Sequence, residues 1–318
     1  MRIISAEQVH RACGWPALVE ALRDAHAGPK PRVERSLMAH GHGAAAQHYI
    51  NLPAWIPGVA MGTKIVTVMP GNARADPALP VIQATYLLFD GDDGRPLATI
   101  DGTALTYRKT AADSALGSQL LSRPDARVLT MVGAGALAPY LIDAHRAIRP
   151  GIAELHVWNR TPALSRALSD RLNAQGVPAT ATDDLEGAVS RSDIVCCATG
   201  ATRPLVRGAW LKEGAHVDLV GGYLPTMRES DDDTVRRARL FVDSRWFAID
   251  KPGDLADPLA RGIISRDKIE GDLFDLASGA VQVSRRSADI TFFKNGGGAH
   301  LDLFAALHVW RALSGLSA

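Results

Sequence analysis

The spacing of apolar and polar positions changes character near residue 125. Before it, short apolar runs are separated by turn-rich segments; after it, apolar runs of strand length alternate with amphipathic stretches of helical length. Ser5 followed by Gln8 has the spacing of a capping box and predicts a helix to about His26, broken near Gly14-Trp15-Pro16. Residues 29–60, rich in Pro, Gly and His, predict short strands and loops. Thr63–Met69 and Val81–Phe89 read as strands. The second enters the turn Asp90-Gly-Asp-Asp-Gly94 and returns as Pro96–Ile100, a hairpin. Ala104–Leu121 reads as a long helix closed by Pro124. From Arg127 onward, strands are predicted at Val128–Val132, Glu154–Trp158 and about 193–198, 215–220 and 239–243. Helices fall between them, Pro162–Gln175 and the short Asp231–Arg239 among them. Such alternation predicts a parallel, doubly wound sheet. The tail differs again, with Ile290–Phe293, the run Gly296-Gly297-Gly298 and a helix over Ala299–Leu313 that is expected to return to the first domain.

The chain is therefore expected to be α/β, a doubly wound parallel sheet plus a β-rich α+β domain. The expected boundaries are 1–122 with 292–318 for the β-rich domain and 123–291 for the doubly wound one. The first strand of the second region runs into Gly133, Gly135 and Ala138, spaced G-x-G-x-x-A before a helix reaching about Ile148, and Glu154–Trp158 completes a βαβ unit. In a Rossmann-type unit the first Gly makes the tight turn, the second lets backbone approach a pyrophosphate, and the small third residue lets helix and strand pack closely. The helix N-terminus adds free N–H groups and a positive dipole end. The turn Gly133-Ala134-Gly135-Ala136-Leu137 is thus the candidate dinucleotide cradle. At the end of the second strand, where NAD sites usually carry a carboxylate for the ribose, stand Asn159, Arg160 and Thr161. A guanidinium there pairs with a 2′-phosphate, and its neighbours can donate to one, so NADP(H) is expected over NAD(H), the latter remaining the alternative.

Composition narrows the function further. At 318 residues, 47% hydrophobic and 22% charged with net charge +1, the chain has the make-up of a soluble globular protein with no electrostatic sign of a nucleic-acid or membrane partner. Its three cysteines, two of them the adjacent Cys196 and Cys197, make no disulfide framework, and the N-terminus lacks a signal-peptide core, so a cytoplasmic setting is expected. The scattered histidines have no ligand spacing, so no metal is expected. Neither a G-x-S-x-G elbow nor a P-loop occurs. Lys64 sits inside the apolar run Gly-Thr-Lys-Ile-Val-Thr-Val; it is either an outward-facing strand lysine or a group facing a polar cleft, since burial without a partner costs desolvation energy. Arg108 and Lys109, and Arg32 and Arg35, are further cationic candidates that read equally as surface charge.

Several blocks resemble the ornithine cyclodeaminase/mu-crystallin family: Lys64-Ile-Val-Thr-Val, Pro70-Gly-Asn-Ala-Arg74, Thr106 to Ala112, Val132-Gly-Ala-Gly135, Trp158-Asn-Arg-Thr161, Val217-Asp-Leu-Val-Gly-Gly222 and Phe293-Lys-Asn-Gly-Gly297. The resemblance, in order from about residue 30 to 305, implies a homodimer whose N-terminal β domain binds substrate and pairs subunits, plus a Rossmann domain. It implies that Lys64 is the catalytic, substrate-binding lysine and that Arg35 or Arg32 binds the substrate carboxylate. The family's second Arg lands on Lys109, a departure that Arg108 could compensate only imperfectly, because adjacent helix residues point about 100° apart. Val81 stands where the family has Thr near the nicotinamide. Thr110, Thr199, Val220, Gly221 and Gly222 fall among the implied cofactor contacts, and Asn295 and Gly296 among the implied substrate contacts.

The residue after Gly222 separates the branches of the family. Cyclodeaminases carry Asp there for proton transfer, whereas this chain has Tyr223, with a reference pKa near ~10 and little basicity at neutral pH. The resemblance therefore implies an NAD(P)H-dependent ketimine reductase, converting Δ1-pyrroline-2-carboxylate to L-proline or Δ1-piperideine-2-carboxylate to L-pipecolate, with Tyr223 beside the substrate. A cyclodeaminase or amino-acid dehydrogenase of the same family, and a non-catalytic NADP-dependent ligand-binding protein, remain the alternatives.

Overall fold

A computed structural model describes residues 1–42, 45–77 and 79–315. The described chain divides into two compact units, Met1–Thr110 together with the chain from Gly298, and Ala111–Gly297. The first division falls inside one long helix, Gly102–Leu121, and the second after the last strand rather than before it.

The first unit is built on seven strands: β1 (Arg2–Ile4), β2 (Arg32–Val33), β3 (Ser36–His40), β4 (Gln47–Ile56), β5 (Ala60–Val68), β6 (Ile82–Asp90) and β7 (Pro96–Asp101). They lie in the order β1-β7-β6-β5-β4-β2, with β3 beside β4; only β1 on β7 is parallel. Ser5 and Gln8 form the capping box, opening helix Ala6–Ala12, and the break at Gly14 leads into helix Trp15–Ala27. Helix Gly102–Leu121 starts two residues before its expected position because Asp101 Oδ1 accepts from Ala104 N at 2.8 Å and caps the first turn. The C-terminal helix Ala299–Ser314 packs on β4, β5, β6 and helix Trp15–Ala27.

The segment read as short strands and loops holds the longest strand of the sheet, the ten-residue β4. Pro53 weakens its sequence signal, since proline cannot donate to a ladder. Pro53 O accepts from Glu34 N, so the missing donor of Pro53 faces the junction where the partner changes from β3 to β2.

The second unit holds β8 (Val128–Val132), β9 (Glu154–Trp158), β10 (Thr180–Ala181), β11 (Ile194–Cys197), β12 (His216–Leu219), β13 (Arg239–Val242), β14 (Ile269–Asp272) and β15 (Thr291–Lys294). The order is β10-β9-β8-β11-β12-β15-β13-β14, and every pair is parallel. Strands β8, β11, β12, β13 and β15 are largely buried on both faces, which is why the first four read as apolar runs. The order reverses between β8 and β11, the switch point outside which open α/β sheets bind ligands. β15, assigned from sequence to the tail of the other domain, inserts between β12 and β13. Its out-of-order position leaves no local trace in a short apolar run.

Arg149 closes the end of helix Gly102–Leu121 within this unit. It is buried, and its guanidinium donates to the carbonyls of Ser118, Gln119, Ser122 and Arg123 and to Ser122 Oγ, all at 2.9–3.2 Å. These carbonyls lie in and just past the last turn of the helix, where Ser118 O and Arg123 O also accept from Ser122 N and Ala126 N. Arg149→Met is expected to lower unfolding stability by about 3 kcal/mol, because several buried acceptors lose their donors together. Arg149→Lys should recover less than half, a point charge being unable to span the set. Urea unfolding measures both, and a midpoint for the Met variant equal to the parent's would refute the role.

Candidate functional site

In the first unit, register places Lys64 on β5 directly beside Tyr86 on β6, on the sheet face that receives the C-terminal helix. That helix carries Asp302, fully buried, to the lysine. Lys64 Nζ lies 3.0 Å from each Asp302 carboxylate oxygen and 3.5 Å from Thr106 Oγ1. Lys109 Nζ lies 3.4 Å from Asp302 Oδ1 and 3.5 Å from Gly298 O. Two ammonium groups thus share one carboxylate, with Lys64 6% exposed and Lys109 3%. Burial pushes Lys64 down to about 8; Lys109 adds to the shift, and Asp302 opposes it. Burial and Asp302 hold the Tyr86 phenol well above its usual range, so it stays neutral. Burial likewise takes His26 down to about 4 and His300 well below its usual range. The imidazoles therefore add no charge at neutral pH. The cluster keeps one excess positive charge and is matched to a small monoanion.

The other cationic candidates go elsewhere. Arg108 does not replace a guanidinium beside Lys109. It stacks on Trp15 at 4.4 Å and donates to Cys13 O and His10 Nδ1, as the angle between successive helix residues requires. Arg32 lies over Trp55 at 5.7 Å, and Arg35 is exposed in the link between β2 and β3. Thr110, buried, is the last residue of the unit before the helix continues.

In the second unit, a cleft of about 310 Å³ opens at the carboxyl ends of β8, β9 and β11. It is lined by Gly133, Ala134, Gly135, Asn159, Arg160, Thr161 and Thr199 among others, with no carboxylate among its lining residues. Gly133 has φ +111°, and a Cβ there would fall 2.6 Å from Ala198 O. At Gly135 a Cβ would meet nothing within 4 Å, so its backbone faces open space. Helix Ala138–Ile148 follows with Leu137 at its N-cap and no side-chain cap; Ala136 is exposed and Leu137 half-buried just ahead of it. Open backbone at the second Gly, uncapped helix amides and the absence of a carboxylate fit a phosphate-bearing dinucleotide. Arg160 is exposed at this cleft. The Asn159 amide is committed to the protein, with Oδ1 accepting from Ala134 N at 3.2 Å and Nδ2 donating to Thr161 O at 3.1 Å. It braces the turn instead of offering a free donor.

Other expected contacts prove to be internal joints. Asn295 Nδ2 donates to Ser114 Oγ at 3.0 Å and its Oδ1 accepts from Gly297 N, while Gly296 N donates to Asp243 Oδ2 at 2.9 Å. Val220 N donates to Cys197 O. The amides of Gly221 and Gly222 donate to the Glu229 carboxylate, at 2.7 and 3.4 Å. Tyr223 is 64% exposed. His145, Cys196 and Ser114 all donate to the buried Asp218, an internally satisfied carboxylate.

Sequence reading missed Asp302 and Glu229. Asp302 leaves a trace, an acidic residue set among the apolar Leu301, Leu303 and Phe304 of its helix. Glu229, in the polar stretch Met-Arg-Glu-Ser, leaves none. It is fully buried, and burial together with Asp254 raises it to about 7 against the opposing charge of Lys294.

The chain is 42% identical over 301 residues, 95% of its length and 93% of the relative's, to a Delta(1)-pyrroline-2-carboxylate reductase of Paracoccus denitrificans (strain Pd 1222). It is 35% identical over 263 residues, 80% of its length and 77% of the relative's, to the ketimine reductase mu-crystallin of Mus musculus. The structure of Thermococcus litoralis Delta(1)-pyrroline-2-carboxylate reductase in complex with NADH and L-proline superposes with a TM-score of 0.89 at 26% identity, covering 100% of this chain and 99% of that one. The family model for the ornithine cyclodeaminase/mu-crystallin family matches residues 5–315, and the chain belongs to that family.

Proposed function

We propose that this chain is an NAD(P)H-dependent ketimine reductase that reduces a cyclic imino acid, Δ1-pyrroline-2-carboxylate to L-proline in the first place and Δ1-piperideine-2-carboxylate to L-pipecolate as the larger-ring case. The observation that carries the reading is the buried Lys64, which shares Asp302 with a second ammonium and is pushed down to about 8. A group of that acidity is matched to giving a proton near neutral pH. The 42% identity to a relative named for this reaction supports the same substrate class.

Reducing a C=N bond adds a hydride to carbon and a proton to nitrogen. A bound nicotinamide would supply the hydride, and the turn from Gly133 to Leu137, with Asn159, Arg160, Thr161 and Thr199, would hold the dinucleotide. Lys64 gives the proton to the imine nitrogen, and Lys109, with the excess positive charge of the cluster, holds the substrate carboxylate. Arg35 or Arg32 remains the proposed second carboxylate contact. In this reading the first unit takes substrate and the second takes the nucleotide. Tyr223 supports reduction over cyclodeamination, since no carboxylate follows Gly222.

NADP(H) is the preferred cofactor in this reading, supported by Arg160 at a cleft with no lining carboxylate. A homodimer is proposed as well, supported by exposed apolar side chains on the first sheet, Leu37, Met38, Tyr49 and Ile82. No helix among the described residues is long and apolar enough to cross a membrane, and the three cysteines are free thiols, which supports a cytoplasmic assignment.

Lys64→Met should lower the rate of NADPH oxidation with Δ1-pyrroline-2-carboxylate by about a hundredfold or more while leaving the nucleotide Kd within about twofold. Near-normal turnover would refute the proton donor. In the parent, the donor must be protonated, so reduction should decline as pH rises through about 8 and proline oxidation should increase over the same interval. Arg160→Ala should raise the Michaelis constant for NADPH about tenfold and that for NADH less than twofold; equal effects would remove the NADP preference. Sedimentation of the Met38→Asp, Ile82→Asp double variant should give a monomer against a parental dimer, and a monomeric parent would sink the pairing surface.

A further inference from the structure

Between the strands of a parallel sheet, loops at the carboxyl ends are separate connections, and nothing in the ladder ties one to the next. Here the loops after β11 and β12 are tied. The Glu229 carboxylate accepts from Thr199 N at 2.7 Å and Thr199 Oγ1 at 2.9 Å in the first loop. From the second it accepts Gly221 N at 2.7 Å and Gly222 N at 3.4 Å. The loops approach so closely that a Cβ on Gly221 would lie 2.0 Å from Thr199 O and 2.6 Å from Glu229 Oε1. The brace is itself anchored: Asp254 Oδ1 accepts from Glu229 N at 2.8 Å and Ser230 N at 3.1 Å, and Asp254 Oδ2 lies 3.4 Å from Lys294 Nζ. The Glu229 carbonyl accepts from Leu205 N and Val206 N, both at 2.9 Å. Leu205, with Thr199, Gly200 and Ala201, lines the nucleotide cleft. One buried residue thus holds two separate stretches of the cleft wall, through its side chain and its main chain.

We infer that Glu229 is a positioning residue for dinucleotide binding, its carboxylate clamping the loop after β11 to the loop after β12 and so setting the shape of the cofactor wall. The inference rests on the nucleotide reading of this cleft. Replacing the carboxylate by an amide turns a donor toward one of the two loops, and at least one contact becomes donor against donor. A buried residue that only stabilised the fold would lower the melting temperature and leave the affinity of folded protein unchanged.

The test is titration of the full-length protein with NADPH and NADH, read by the fluorescence of the reduced nicotinamide, together with steady-state kinetics. Glu229→Gln is expected to raise the nucleotide Kd and Michaelis constant about tenfold, with kcat at saturating nucleotide within about threefold of the parent. Thr199→Ala, which removes one of the four donors, should shift the Kd in the same direction by about two- to fivefold. A parental Kd in folded Glu229→Gln, whatever its melting temperature, overturns the clamp, as does a fall in kcat at unchanged Kd. Should Glu229→Gln not fold, a parental Kd in Thr199→Ala overturns it equally. If the unmutated protein binds neither nucleotide, the cofactor reading itself falls and the clamp with it.

Discussion

Two ammonium groups and a single carboxylate, enclosed together away from water, set the terms for the first unit. Removing each ion from solvent costs several kcal/mol, and an unequal number of opposite charges cannot repay that cost internally. The sheet accepts the imbalance because Asp302 faces both ammonium groups, Lys64 at both oxygens and Lys109 at Oδ1, and because the neighbouring Tyr86, His26 and His300 are kept neutral. In the proposed reading the excess positive charge attracts an anionic ligand, while burial first, and Lys109 with it, loosens the Lys64 proton.

The second unit solves a different problem. Its strands supply a buried scaffold, but the surfaces that meet a dinucleotide are loops at strand ends, where backbone amides need acceptors. Asn159 fills that role for the Gly133 turn and Glu229 for the loops beyond it. Both side chains are bonded to backbone, and Arg160 stands exposed at the same cleft.

Much of this was legible in the residues. The capping box at Ser5, the strand–turn–helix order around Gly133 and the run of buried parallel strands follow local rules, and each stands where its pattern indicates. Lys64 was marked by its apolar surroundings, and the divergence of Arg108 from Lys109 by helix geometry alone. The remainder depends on partners distant in sequence. β4 is masked by Pro53, which stands where its partner changes from β3 to β2. β15 takes its place between strands that precede it by many residues, and Glu229 matters only once two loops have come together. Asn295 and Gly296 show the converse, being recognisable in sequence yet tied into the chain's own joints.

The position of the C-terminal helix carries a consequence for biosynthesis. Every strand of the first sheet, and both lysines, leave the ribosome before the whole of the second unit, whereas Asp302 follows it. Until that helix emerges, the sheet holds two cations with no counterion and an uncovered apolar face, a state exposed to chaperones and proteases. Emergence of that helix is thus the event that brings the cluster its carboxylate, and a stalled or clipped product ending before residue 302 would hold both lysines without it.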